Sequence, residues 1–247
     1  MAAILRKAIL CYVISNLLSH SFKRFFLIGI ILLDTRFPRL LGDIGNPKTF
    51  PFPVLYEKVH GALPSRVVRE KDSSLLLPFI EAAKALERRG AMAITTSCGF
   101  LAVWQKELAS AVDVPLFTSS LIQIPWAYEF MGRRGRIGVL TADRDSFTTD
   151  LLKGVNAEGI PSVIRGMKPD SEFHRIYVRN SPDLDFSRVE KEVVAEASAL
   201  VDDHPDISAV VLECTNMAVF RKALREAVTM PAFDILTLIH YIHSSLK

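Results

Sequence analysis

The chain has 247 residues, 49% of them apolar and 23% charged, which describes a folded protein with length for a sizeable core and excludes both a solvated low-complexity chain and a polytopic membrane protein. Its net charge of +3 arises in the first 33 residues, where Arg6, Lys7, Lys23 and Arg24 meet no acid. The remainder is near neutral, so no nucleic-acid partner is expected.

Residues 1–25 imitate a secretory signal in that Arg6 and Lys7 precede an apolar run at 8–18, but no small-x-small cleavage pattern follows. Asn16 and the polar cluster 20–24 interrupt the run of about 20 apolar residues that a bilayer requires, so no integral membrane span is expected. The segment reads as an N-terminal extension laid before the first strand. Three cysteines, Cys11, Cys98 and Cys214, are too few and of the wrong parity for a disulfide framework, which points to a reducing compartment, the cytoplasm.

From residue 26 onward short β-branched runs alternate with longer helical patterns, the signature of an α/β protein built on parallel sheet. Strands are predicted at 27–33, 65–69, 91–96, 114–119, 136–141, 162–166, 208–213 and 231–235, and helices at 75–89, 101–111, 146–158, 187–203 and 217–228. Two stretches break the rhythm. Residues 35–64 carry Pro38, Pro47, Pro51, Pro53 and Pro64, which is dense enough to prevent a regular helix and suggests a lid or binding loop. Residues 168–186 are polar and read equally as a second wall of the same site or as solvated surface.

The strand Ile28-Gly29-Ile30-Ile31 returns as Ile137-Gly138-Val139-Leu140, with Asp34 and Asp143 at matching ends. Cys98 precedes Pro115, and Cys214 precedes Pro231, by the same 17 residues. The order strand, cysteine, helix, proline, strand is thus repeated. Two similar lobes, 26–134 and 135–247, related by a pseudo-two-fold with the site between them, are the expected architecture.

Both Cys98 and Cys214 follow a predicted strand and precede a predicted helix, the edge at which open parallel sheets bind ligands. Unpaired N–H groups of a helix N-terminus stabilise a thiolate and also hold a carboxylate, so such a position supplies a base and an anion site together. A lone cysteine is more often a small buried hydrophobe. Two of three at equivalent points of a repeat is hard to assign to packing, whereas Cys11 lacks that context. Facing thiols suit one chemistry especially: one removes a proton from a carbon acid and the other returns a proton to the opposite face.

The segments Thr95-Thr96-Ser97-Cys98 and Glu213-Cys214-Thr215-Asn216, the doubled lobe and the Asp34-Thr35 pair together resemble the aspartate/glutamate racemase superfamily, which also includes hydantoin racemases, maleate isomerases and arylmalonate decarboxylases. This chain departs from the amino-acid racemases in having Gly99-Phe100 after the first cysteine and Glu213 where a glycine is usual. The resemblance implies a cofactor-independent racemase or epimerase of a small carboxylate, with Cys98 and Cys214 as paired acid and base, and Asp34 and Thr35 orienting the substrate or a thiol. Within the same superfamily the alternatives are cis–trans isomerisation and decarboxylation, and outside catalysis a small-acid-binding protein.

Further substrate-binding candidates are Gly99, Ser119 in the hydroxyl cluster Thr118-Ser119-Ser120, Asn46 in the Pro-rich loop, and Thr215 and Asn216 as anion donors. Helix caps and turns are the competing readings for Ser119, Asn216 and Asn46. Phe100 and Trp104 at i, i+4 read as core, and Arg36 and Arg39 as ordinary surface cations before attractors of an acidic substrate. His240 and His243 form a metal pair only if carboxylates join them, so no metal and no nucleotide cofactor are expected. The expected partner is a small-molecule carboxylate, and a homo-oligomer is left open.

Overall fold

A computed structural model describes residues 26–246; the expectations for residues 1–25, Cys11 among them, lie outside the described residues. Two four-stranded parallel sheets carry the fold. The first comprises β1 (Ile28–Leu32), β2 (Val54–Lys58), β3 (Ala93–Thr96) and β4 (Leu116–Phe117) in the order β2-β1-β3-β4. The second comprises β5 (Arg136–Thr141), β6 (Ser162–Gly166), β7 (Ile207–Leu212) and β8 (Ala232–Phe233) in the order β6-β5-β7-β8. The orders are identical, as the repeat requires, with the Gly29 and Gly138 strands occupying the same place in each.

Helices α1 (Pro64–Val68), α2 (Leu76–Arg88), α3 (Gln105–Ala109) and α4 (Gln123–Phe130) flank the first sheet and its connection to the second. Helices α5 (Thr149–Gly154), α6 (Glu172–Tyr177), α7 (Phe186–Asp202), α8 (Arg221–Ala227) and α9 (Ile235–Ser245) follow. The long helices form where apolar residues recur at helical spacing: α2 buries Phe79, Ala82, Ala83 and Leu86, and α7 buries Val189, Val193, Ala197 and Leu200. Among the described residues no helix is long and apolar enough to cross a membrane.

Two expectations are corrected. Residues 65–69, predicted as a strand on the strength of Val67 and Val68, form α1 instead. Pro64 sits at its first turn, where a fixed φ and a missing N–H favour helix, and both valines are buried as helical residues. The place beside β1 goes to β2, inside the Pro-rich stretch read as a loop, whose Val54 pairs with Ile28 and Lys58 with Leu32. Of the two readings of residues 168–186 the structure favours the wall, since Tyr177 and Val178 line a cavity between the lobes. Ser171 caps α6 by accepting from the His174 backbone N–H at 3.1 Å, and Phe173, Ile176 and Tyr177 are buried. Glu192 of α7 adds a second cap, accepting from the Glu172 and Phe173 backbone N–H groups at 3.0 and 2.9 Å.

The lobes share one apolar core that runs from Ile31 and Phe79 on one side to Val139 and Val211 on the other. Buried hydrogen bonds cross the seam: the Thr215 hydroxyl donates to the Ser97 carbonyl at 2.8 Å, the Ser120 hydroxyl donates to the Leu212 carbonyl, and the Gln123 amide donates to the Asp234 carbonyl at 2.9 Å. Gly154, the last residue of α5, lies so close to the first lobe that a methyl group there would overlap the Ala102 carbonyl oxygen. Gly154→Ala is expected to lower unfolding free energy by about 1–3 kcal/mol, the usual cost of overpacking, read from urea denaturation.

Candidate active site

Cys98 and Cys214 each stand two residues beyond a central strand, β3 and β7, and each is the N-cap of a 3-10 turn, Gly99–Trp104 and Thr215–Phe220 respectively. Both line one interlobe cavity of about 20 Å³, together with Thr35, Gly99, Asn216 and Glu213. Phe37 and Tyr177 close its outer side, their rings meeting edge to face at 4.9 Å. A wider apolar groove of about 840 Å³, bordered by Trp126, Phe130 and Tyr241, contains none of the expected site residues.

The remaining candidates have other work. Asp34 accepts from the Gly61 backbone N–H at 3.0 Å and pairs with Lys58 at 3.6 Å on the rim. Asn46 caps a turn, accepting from the Lys48 N–H at 2.9 Å and donating to the Arg39 carbonyl at 2.9 Å. Ser119 caps the turn at Ser120–Ile122 through the Leu121 N–H. Thr215 ties the lobes together. Of the residues set aside as surface or core, Arg39 donates to the Thr35 hydroxyl at 2.8 Å and to both Asp43 carboxylate oxygens, and so fixes one wall; Phe100 lines the cavity as well. His243 stacks on Phe52 at 3.6 Å.

Glu213 is the residue that sequence reasoning noted only as a departure. It is 1% exposed, and its Oε2 accepts from the Thr141 hydroxyl at 2.7 Å and the Ala142 N–H at 3.3 Å. The counterpart in the other lobe is Ser97, whose hydroxyl oxygen accepts from the Leu33 N–H at 3.0 Å. One position, immediately before the cysteine, therefore joins the two central strands of each lobe, with a short hydroxyl in one and a carboxyl in the other. The carboxyl fits because residue 99 is glycine: a methyl there would overlap both the carbonyl oxygen and Oε1 of Glu213. Oε1 itself has no hydrogen-bond partner. The repeat, which pairs Ser97 with Glu213, is the signal that would have singled it out.

The electrostatics differ from the expectation for helix N-termini. Backbone N–H groups of Phe100 and Leu101 favour the Cys98 thiolate, and the Asn216 N–H and side-chain amide, the latter 3.5 Å from Sγ, favour that of Cys214. Burial outweighs them, with the neighbouring Glu213 charge acting in the same direction. Cys98 is raised well above the ordinary thiol range and Cys214 is pushed up to about 12. Six-residue 3-10 turns offset little of that desolvation. Burial also pushes Glu213 up to about 7, against the two hydrogen bonds on Oε2.

No family model matches the chain. It is 30% identical over 215 residues to a dimethylsulfoniopropionate lyase of Durusdinium sp. clade D, a match covering 84% of this chain and 70% of that one. It is 31% identical over 221 residues to dimethylsulfoniopropionate lyase 7 of Emiliania huxleyi (strain CCMP1516), covering 85% of this chain and 64% of that protein. Among solved structures, allantoin racemase from Pseudomonas fluorescens aligns over 89% of this chain and 90% of its own, with a TM-score of 0.55 at 15% identity. Unliganded arylmalonate decarboxylase aligns over 83% and 86%, with a TM-score of 0.54 at 14% identity. The two-lobe fold is shared with these racemase and decarboxylase structures.

A proton that native Glu213 retains up to about pH 7 leaves the unfolded chain near 4.5. Its contribution to stability is complete below the lower value and is lost as pH rises through the higher one. Glu213→Gln removes this slope, so the wild-type minus variant stability is expected to fall by up to about 3 kcal/mol between pH 4.5 and 8, at ~1.4 kcal/mol per pH unit. Paired urea denaturations across that range measure it.

Proposed function

The chain belongs to the family of the dimethylsulfoniopropionate lyases, and from that premise we propose that it eliminates a sulfonium leaving group from a small carboxylate. The observation that carries this reading is the meeting of Cys98 and Cys214 in one cavity at the carboxyl ends of β3 and β7. A proton on the carbon beside a carboxylate is only weakly acidic, and a positioned thiolate removes it where donors stabilise the growing carboxylate charge and the leaving group departs. With 3-dimethylsulfoniopropionate, the Cα–H bond breaks toward the thiolate. Its electron pair forms the C=C bond, and the C–S pair leaves on sulfur. The products are dimethyl sulfide, acrylate and one proton carried by the thiol.

Cys214 takes the role of base, since the Asn216 amide donates to its sulfur and stabilises the anion. Cys98 remains a thiol and donates to the substrate carboxylate, whose charge grows as the proton leaves. The Thr35 hydroxyl, oriented by Arg39, and the backbone N–H groups after Cys98 complete the carboxylate site. A neutral sulfide needs no acid to help it depart, so elimination asks for one base only.

Racemisation of a small carboxylate is the second reading, favoured by the matched placement of the thiols in the two lobes. It uses the same residues with both cysteines exchanging protons. Headspace gas chromatography of the purified protein with dimethylsulfoniopropionate is expected to detect dimethyl sulfide well above the uncatalysed blank. Cys98→Ala and Cys214→Ala should each lower kcat at least ~100-fold, the range of general acid–base contributions. Deuterium incorporation into D- or L-amino acids in heavy water, with no dimethyl sulfide from the sulfonium acid, would replace elimination by racemisation.

A further inference from the structure

We infer that Glu213 is the counter-ion for a positive group on the substrate, so that the site selects small carboxylates bearing an onium centre over isosteres that lack it. The inference rests on the elimination proposed above for its substrate class, and on geometry for the residue.

The pseudo-symmetry separates what Glu213 does for the fold from what is left over. Ser97 joins the central strands of its lobe with a single oxygen. Glu213 joins those of the other lobe with Oε2 alone, through Thr141 and Ala142. The second oxygen, Oε1, is buried and unpartnered in a residue that lines the cavity. A buried acceptor left unmade costs about 1–3 kcal/mol, a cost that a serine at this position would avoid. An oxygen that structure does not require and burial penalises is what a ligand's positive group would satisfy.

The surroundings agree. Among the described residues no Lys, Arg or His side chain lines the cavity, so none of them neutralises the carboxylate there. Aromatic walls, Tyr177 foremost, offer ring faces that attract cations without hydrogen bonding to them, which suits a methylated onium centre having no N–H or O–H to donate. Arg39, behind Thr35, is spent on Asp43 and the Thr35 hydroxyl. A zwitterion is thereby oriented, with its carboxylate toward Thr35 and its onium centre toward Glu213. The same charge solves the problem that the thiols pose. Burial keeps Cys98 and Cys214 protonated and the Glu213 charge adds to it; a cation beside Glu213 offsets that second contribution, so the substrate itself helps to ionise its base.

The titratable and charged groups facing Glu213 are Cys98 from the first lobe, Cys214 on its own segment, and Asp143 beyond β5. Asp143 is held by Arg69 at 3.1 Å and His174 at 3.2 Å. Past Tyr177 lies the Asp43–Arg39 pair. Asp143 pushes Glu213 up, and a bound cation pushes it down; onium affinity should therefore rise as pH increases through about 7, with a proton released on binding below that point.

Isothermal titration of the whole chain with 3-(trimethylammonio)propionate and with 4,4-dimethylpentanoate, the isostere that keeps the carboxylate and has carbon in place of the onium nitrogen, tests the assignment. At pH 8 the wild type is expected to prefer the onium probe by at least ~10-fold, and Glu213→Gln to bind the two within about threefold, with affinity for the isostere without the onium centre no lower than in the wild type. Equal binding of both probes by the wild type, or a preference surviving in Glu213→Gln, overturns it. Should that variant fail to fold, the wild-type preference between pH 6 and 8 decides: a rise supports the counter-ion and a flat profile overturns it. These readouts are binding alone. An intact, Glu213-dependent preference without dimethyl sulfide release would sink the elimination reading and leave this one standing, and the converse result would do the opposite.

Discussion

The seam between Gly99 and Glu213 is the contact on which the rest of the site depends. A residue with a Cβ at 99 would collide with Glu213, so the first lobe can bring its cysteine turn against the second only because that side chain is missing. Once the turns meet, Thr215 can reach the Ser97 carbonyl and Ser120 can reach Leu212. Those buried bonds fix the strand ends, and the strand ends fix Cys98 and Cys214. The positions of the thiols thus follow from a close approach of backbone more than from any contact of their own.

The two-fold relation between the lobes is broken where charge is concerned. Ser97 and Glu213 are equivalent in place and in the strand they secure, yet one is neutral and the other ionisable. A symmetric pair of thiols therefore sits in an asymmetric field, closer in sequence to the acid on one side than on the other. Desolvation dominates both, and the carboxylate reinforces it. The backbone N–H groups that favour thiolates come from short 3-10 turns, which lack the aligned peptides of a long helix.

Much of this was legible in the sequence because parallel strands write themselves in β-branched runs, and a repeated lobe writes itself twice. The paired cysteines and the doubled lobe both came from that redundancy. What stayed hidden lacked a periodic signal. β2 is a half-exposed strand among prolines, and α6 has only six residues, its polar look coming from an exposed Arg175 paired with Glu172. Val67-Val68 carried strand propensity that Pro64 and burial overrode. Asp34, Asn46, Ser119 and Thr215 have the chemistry of ligand donors, but each satisfies backbone or a neighbouring charge, a distinction that needs coordinates. Arg39 matters through Thr35 and Asp43, a relation that no local pattern announces.

The shared core and the buried hydrogen bonds across the seam also constrain how anything reaches the thiols. A cavity of about 20 Å³ accommodates roughly one water molecule, so a ligand must displace protein to arrive. Swinging the lobes apart like a hinge would break the Thr215–Ser97, Ser120–Leu212 and Gln123–Asp234 bonds and wet the apolar core between them. The lip where Phe37 meets Tyr177 is held by side chains instead: the edge-to-face pair itself, Arg39 over the Phe37 ring, and the Asn180 side chain, which accepts from the Arg36 N–H and donates to the Asp34 carbonyl. A path past that lip leaves the buried bonds of the seam in place, so the wall can part there at a lower cost than the lobes can swing.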